Sequence, residues 1–270
     1  FKTYGIDPAE NIYPTSSANH DVICDYFTDK YTYHYKMKNI DVINAQNVFA
    51  HTDYPLEFLK MCKEIMSAKT RLFVQTSQAN MVHNDEFDTI YHEHLSFFNS
   101  FSMQALAERA GLYLIDIVKT PIHGTSYMFV FATVPDIKPG LAQVQAEETA
   151  WGLKDFATYE TWADNCKQVV VNLKNTLEDY RSQGYRLVGY GAAAKGNTLI
   201  NFGNIYLDFI IDDSPLKQGL LAPGSNIPVV PIGKLNDLVK DKIVFVPLAW
   251  NLFNEIRAKI KQARDAKEDV

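Results

Sequence analysis

Apolar and polar positions along the chain follow two alternating rhythms. Short runs rich in Val, Ile, Phe and Tyr suit strands, and longer stretches whose apolar residues recur every three or four positions suit amphipathic helices. Strands are predicted at 2–7 (KTYGID), at 20–27 (HDVICDYF) and from 40 (IDVINAQNVFAH). Pro8 ends the first of them, because it lacks the N–H a ladder needs. The stretch 52–69 predicts a helix capped by Asp53 with Pro55 in its first turn. A strand follows at 70–77, then a helix from 100 that opens on a serine cap and stops at Gly111, then two strands, YLIDIVKT and SYMFVFAT. Strands alternating with helices imply an α/β fold with a largely parallel, helix-covered sheet, to which the last two strands add an antiparallel edge.

The run VPDIKPG at 134–140, with two prolines and a glycine, marks the expected domain boundary. Beyond it Trp162, Cys166, Val169, Val170, Leu173, Leu177 and Tyr180 repeat at helical spacing and predict a packing helix over 159–182. A second α/β unit follows: strands in YRLVGYG, LDFIIDD, IPVVPIG and KIVFVPLAW, a helix after GYGAAAK, and a final helix from Asn251. The tail DAKEDV is expected to fray.

Composition narrows the function classes. With 47% apolar residues in 270, the chain can bury one large core or two ordinary ones. A net charge of −6 without a basic run is the wrong surface for nucleic acid, which requires clustered Lys and Arg. No apolar run approaches the roughly 20 residues of a bilayer span and no signal peptide is evident, so a soluble, cytoplasmic protein is expected. Cys24, Cys62 and Cys166 are scattered and odd in number, which suits buried free thiols rather than disulfides or a zinc ribbon. The chain opens on Phe1, without Met and already in a strand-like run, and reads as part of a longer protein.

Three motifs could carry chemistry. Tyr91-His92-Glu93-His94 sets a phenol, two imidazoles and a carboxylate side by side. His92 and His94 are not at the i, i+4 spacing of a zinc-protease helix and have no third ligand nearby, so no metal is expected. Either the histidines are satisfied structurally, or the group does acid–base work, since a His beside Tyr and Glu can be held as one neutral tautomer. Gly189, Gly191 and Ala194 satisfy G-x-G-x-x-A after a strand, Asp212 ends the next strand, and Lys195 adds a cation. That pattern fits a dinucleotide site, or a tight turn that needs glycine only for packing. Asn47 and His51 lie just past a strand's C-terminal end, where open α/β sheets place their sites, though either could be a cap.

The segments GIDPAENI, NAQNVFAH, FDTIYHEHLSFF, HGTS, GYGAAAKGNTLINF, IDDSPLKQGLLAPGSNIPV and PLAWNLFNEI span nearly the whole chain. In this order they resemble the S-adenosylmethionine-dependent C-methyltransferases that act on nucleotide-linked keto-deoxysugars. YHEHLS and GYGAAAKGNT are the most specific matches. The resemblance implies an incomplete class I methyltransferase Rossmann-like domain at 1–133, whose first strand and glycine-rich turn lie upstream. A helical linker at 134–185 and a second Rossmann-like domain at 186–270 follow, the latter holding sugar nucleotide rather than transferring hydride. Zinc belongs to an upstream cysteine-rich module of the family. Thr125 and Met128 stand where relatives tend to have glycine and arginine, and Gln75 where an acid is common.

Methylating a sugar carbon requires a ketone, a base for the adjacent proton and donors for the enolate oxygen. The resemblance implies His94 as base, Tyr91 and Glu93 as orienting or relay groups, and His51 with Asn47 on the sugar or its enolate. It further implies His123, Ser126, Gly191, Lys195 and Asn197 as substrate contacts, and Asp7, Asp25 and Asn47 around S-adenosylmethionine. The expected partner is a dTDP-type ketosugar, and the expected state a monomer or weak oligomer. Two other readings are an NAD(P)-dependent oxidoreductase using Gly189, Gly191 and Asp212, and a non-catalytic sugar-nucleotide-binding protein.

Overall fold

A computed structural model describes residues 2–76, 80–122, 124–264 and 269–270. They form two compact units. One comprises Phe1–Thr76, Phe98–Val118 and Tyr127–Gln145; the other comprises Ser77–Phe97, Lys119–Ser126 and Ala146–Val270. The YHEH segment therefore belongs to the second unit.

The first unit opens with β1 (Tyr4–Ile6), α1 (Tyr13–Ser16), β2 (Asp21–Ile23) and α2 (Thr32–Lys36). It continues through β3 (Val42–Gln46), α3 (Pro55–Ile65), β4 (Arg71–Thr76), α4 (Ser100–Ala110), β5 (Tyr113–Thr120), β6 (Ser126–Ala132) and the start of α5 (Pro139–Ala150). Its strands lie in two sheets. β1 and β2 pair in parallel, and a four-stranded sheet has the order β3-β4-β6-β5. β3 and β4 are parallel, whereas β6 runs antiparallel to β4 and sits between β4 and β5. The pair β6 and β5 thus adds an antiparallel edge, as expected from sequence, with β6 the inner of the two, apolar and with six of its seven residues buried.

Helix starts differ from expectation for a geometric reason. α3 begins after Tyr54, with no side-chain cap from Asp53. The cap of α4 is Asn99, not Ser100: its carboxamide oxygen accepts from the Ser102 amide at 2.8 Å while the Ser102 hydroxyl accepts from the Asn99 amide. A capping side chain must reach the amide three residues on, which puts Asn99 in register and leaves Ser100 buried in the first turn. Gly111 ends α4 in the left-handed conformation, φ 69°, as expected. The unit's core contains Phe49, Leu59, Leu72, Met103 and Phe129, all fully buried. Cys62 sits on the apolar face of α3, where burial pushes its thiol up to about 12.

The proline-rich boundary segment opens a helix of its own. Pro139 starts α5, a position where its missing N–H leaves no bond unmade. In the second unit follow α6 (Phe156–Ser182), β7 (Arg186–Tyr190), α7 (Ala194–Gly203), β8 (Phe209–Ile211), β9 (Val229–Val230), β10 (Ile243–Pro247) and α8 (Phe253–Ala263). The sheet is wholly parallel with order β10-β7-β8-β9. Both faces are covered: Leu187, Ile200, Leu207, Ile210 and Leu248 form one core cluster, and Val188, Ile211, Leu235, Ile243 and Ile256 another. Burial on both faces accounts for the unbroken apolar runs of β7, β8 and β10. The chain end is ordered at Asp269 and Val270. Val270 exchanges backbone hydrogen bonds with Ile243 and Phe245, and Asp269 pairs with Arg264. Residues 265–268 of the expected fraying tail lie outside the described residues.

Candidate active site

β7 and β10 are neighbours in the second sheet although β8 and β9 lie between them in sequence, so the chain leaves their C-terminal ends in opposite directions. Such a switch point is where open α/β sheets form their crevice. Glycine is required along the β7 side. A Cβ on Gly189 would lie 2.9 Å from Leu248 Cδ1, one on Gly196 would lie 2.5 Å from Leu248 Cβ, and Gly191 has φ 92°. α7 can therefore press directly against the end of β10.

The amides of the glycine turn are already engaged. Gly191 N donates to Ile211 O at 2.7 Å, Ala192 N to Asp212 Oδ2 at 2.7 Å, and Ala193 N to Gly191 O at 2.8 Å. Asp212, 7% exposed, also accepts from Ser214 N, and Lys217 Nζ reaches both Asp212 Oδ2 and Ala192 O. A dinucleotide fingerprint would offer these amides to a pyrophosphate and the acid to a ribose. Here they satisfy one another, which argues against the oxidoreductase reading. What remains outward-facing is the start of α7, which has no side-chain cap and so keeps the unmade first-turn N–H groups of any helix. Lys195 lies in that turn, and the Asn197 Oδ1 atom is buried without a hydrogen-bond partner among the described residues.

From the β10 side comes Trp250, which sequence reasoning missed. Its indole N–H donates to Asp88 Oδ2 at 2.6 Å, Lys195 Nζ lies 4.6 Å from its ring centroid, and its edge abuts the space a Cβ on Gly124 would need. Phe87 packs on Phe202 of α7 with centroids 5.1 Å apart. These contacts fasten the 80–97 segment to the switch point. Glu86, partly buried, has its carboxyl pKa raised by desolvation, an effect that the nearby Asn84 amide and Lys195 ammonium reduce. The signals available in the sequence were an aromatic residue just past a strand's C-terminal end and the acids flanking Phe87.

The same segment holds Tyr91 and His94. His94 Nδ1 is 2.8 Å from the Thr89 carbonyl, which can only accept, so Nδ1 carries the proton of the neutral ring. Nε2 is then the basic nitrogen, and it accepts from the Tyr91 hydroxyl at 3.0 Å. The two rings lie 4.2 Å apart. Burial, then the charges of Glu93 and Asp88, raise the Tyr91 pKa, so the phenol keeps its proton and acts as donor. Glu93 is largely exposed, with the His92 ring, also exposed, 3.9 Å from its carboxylate. It acts on Tyr91 through its charge. Ser126 is fully buried and donates to the Ile122 carbonyl. His123 lies outside the described residues.

The other expected site residues belong to the first unit. Asp7 follows β1, and its carboxylate accepts from Ala9 N at 2.8 Å, which holds it exposed at the strand's C-terminal end. Asn47 follows β3 in the left-handed conformation, φ 52°, and His51 ends a short 3-10 turn; both are exposed. Asp25 is bound within the fold by Lys30 Nζ and the Tyr31 hydroxyl, each at 2.6 Å, and by Tyr26 N. Lys30 foremost, then Tyr31, lowers its pKa from 3.8 to about 2. A carboxyl lowered on folding lends stability above its unfolded pKa and loses it as pH falls through the folded value. A carbon-detected NMR titration should therefore give Asp25 a midpoint near 2, and Lys30→Met should move it up toward 3.8; an unmoved midpoint would discount the pair.

The C-methyltransferase C-terminal domain matches residues 121–269, more than half of the chain. The chain belongs to this C-methyltransferase family. A methyltransferase domain matches residues 1–117, in accord with a class I Rossmann-like fold. The C-methyltransferase NovU of Streptomyces niveus is 29% identical over 222 residues, covering 80% of this chain and 52% of that protein. The chain thus spans about half the length of the curated relative it matches. Among the described residues, no three His, Cys, Asp or Glu side chains gather as a metal site, and no helix is long and apolar enough to cross a membrane.

Proposed function

We propose that the protein transfers a methyl group from S-adenosylmethionine to a carbon beside the ketone of a nucleotide-linked keto-deoxysugar, with His94 as general base. The observation that carries this reading is the Tyr91–His94 pair: an imidazole whose tautomer is fixed by Thr89 and whose basic nitrogen faces a protonated phenol. Abstraction of a proton next to a carbonyl needs such a base. Because Tyr91 occupies Nε2, the substrate proton passes to the Tyr91 oxygen as the phenol proton moves to His94, leaving an enolate and an imidazolium. S-adenosylmethionine supplies, when bound, the electrophilic methyl that the enolate carbon takes. His94 then returns its proton to solvent. Asp7, an exposed carboxylate at a strand's C-terminal end, suits the donor's ribose hydroxyls, and Asn47 and His51 are assigned to the donor or sugar. Lys195 and the first turn of α7 suit a diphosphate, since anions favour a helix N-terminus.

The test is incubation of the full-length protein with S-adenosylmethionine and a dTDP-4-keto-6-deoxyhexose in deuterated water, with mass spectrometry following deuterium uptake and methyl gain. Both are expected. No exchange on a panel of ketosugars, together with nicotinamide binding, would overturn the reading.

A further inference from the structure

The Tyr91–His94 pair can take a proton at Nε2 only while the Thr89 carbonyl keeps the ring proton on Nδ1, so the placing of that carbonyl belongs to the chemistry. Thr89 is fully buried, and its carbonyl accepts from the Tyr91 amide at 3.1 Å as well as from His94 Nδ1 at 2.8 Å. The Ile90 amide donates to Phe87 O and the His94 amide to Tyr91 O, each at 2.9 Å, which winds the segment into two successive tight turns. Bonds of such short range fix the shape of the segment but not its place. Its place is set by the anchors at its start.

Asp88, next to Thr89, is one of these anchors. It is 9% exposed, and its Oδ1 atom is buried without a hydrogen-bond partner among the described residues. Its Oδ2 atom accepts from the Trp250 indole N–H at 2.6 Å. The indole is held from two further sides: Lys195 Nζ lies 4.6 Å from its ring centroid, and Gly124, at φ 96°, leaves the room that the ring edge fills. A buried carboxylate stripped of its donor is strongly destabilising, and the chain moves to hydrate it. Asp88 cannot swing outward without carrying the adjoining Thr89 carbonyl with it. Resting on the reading of His94 as general base, we infer that Trp250 is a positioning residue of the reaction: its N–H holds Asp88, and with it the carbonyl that sets the His94 tautomer.

The test uses full-length protein isotopically labelled at histidine nitrogen, with the His94 signals assigned by their absence from His94→Ala. At a pH where the ring is neutral, wild type should show Nε2 as the unprotonated, downfield nitrogen and Nδ1 as the protonated one. Trp250→Phe keeps an aromatic ring beneath Lys195 and removes the donor. Its two His94 nitrogens should move toward each other, as a mixture of tautomers requires. Its kcat for deuterium exchange into a ketosugar should fall about 10–100-fold with KM changed by less than about twofold, the pattern of misplaced chemistry with intact binding. Asp88→Asn retains an acceptor for the indole and should keep the wild-type His94 pattern. A single tautomer in Trp250→Phe, or averaged nitrogens in Asp88→Asn, would overturn the inference. Should Trp250→Phe not fold, the wild-type indole N–H decides: slow exchange with solvent deuterium supports the anchor, and exchange as fast as that of an exposed indole overturns it. Absence of ketosugar exchange in wild type would sink the methyl-transfer reading instead, and the tautomer comparison would still stand or fall on its own.

Discussion

His94→Ala is expected to lower both deuterium exchange into a ketosugar and methyl gain by about 10²–10⁴-fold, the usual contribution of a positioned general base. Exchange is the sharper readout, because it requires proton removal but no methyl donor. Tyr91→Phe should cause a smaller loss in both: the ring still packs on His94, but the phenol that carries the proton is gone. Glu93→Gln should stay near wild type, since that side chain is exposed and touches neither relay atom. Exchange that survives in His94→Ala would place the base elsewhere. Equal loss in Glu93→Gln would show that the charge of Glu93 does more than raise the Tyr91 pKa.

The second large effect concerns stability. Glycine inside a helix normally costs about 1 kcal/mol relative to alanine, so filling Gly196 would ordinarily help. Here the added Cβ would lie 2.5 Å from Leu248 Cβ and 3.4 Å from Leu248 Cα. Those atoms are tied to the backbone and cannot swing aside, so α7 or the end of β10 must move. Overpacking of this kind costs about 1–3 kcal/mol, and the two further methyls of valine add to it. Gly196→Val should therefore lower the urea midpoint with an unchanged slope. A midpoint equal to wild type would mean that α7 does not bear on Leu248.

Much of this was legible in the sequence where the determinants are local. The β7 strand, its glycine turn and α7 follow from one contiguous run, and Gly111 marked the end of α4 by a conformation only glycine adopts easily. The Tyr91–His94 pair was visible as a cluster, but the proton's position on the ring was not, because it depends on where the Thr89 carbonyl folds back. Trp250 and Asp88 are 162 positions apart, and no local pattern announces such a bond. The antiparallel pair at the sheet's edge was legible, but that β6 and not β5 takes the inner place was not, because it depends on which strand can bury both faces. α5 was hidden by the prolines that open it and by the absence of an apolar stripe.

The closed glycine turn bears on how this fold could be repurposed. Asp212 and Lys217 act as an internal plug: they occupy, with the protein's own atoms, the contacts that the same backbone elsewhere offers to a nucleotide cofactor. Removing the plug would be the first step for an engineer seeking hydride chemistry on this scaffold. It would also unfasten the turn that seats α7, so acquiring a new cofactor and keeping the old shape are competing demands on the same two side chains.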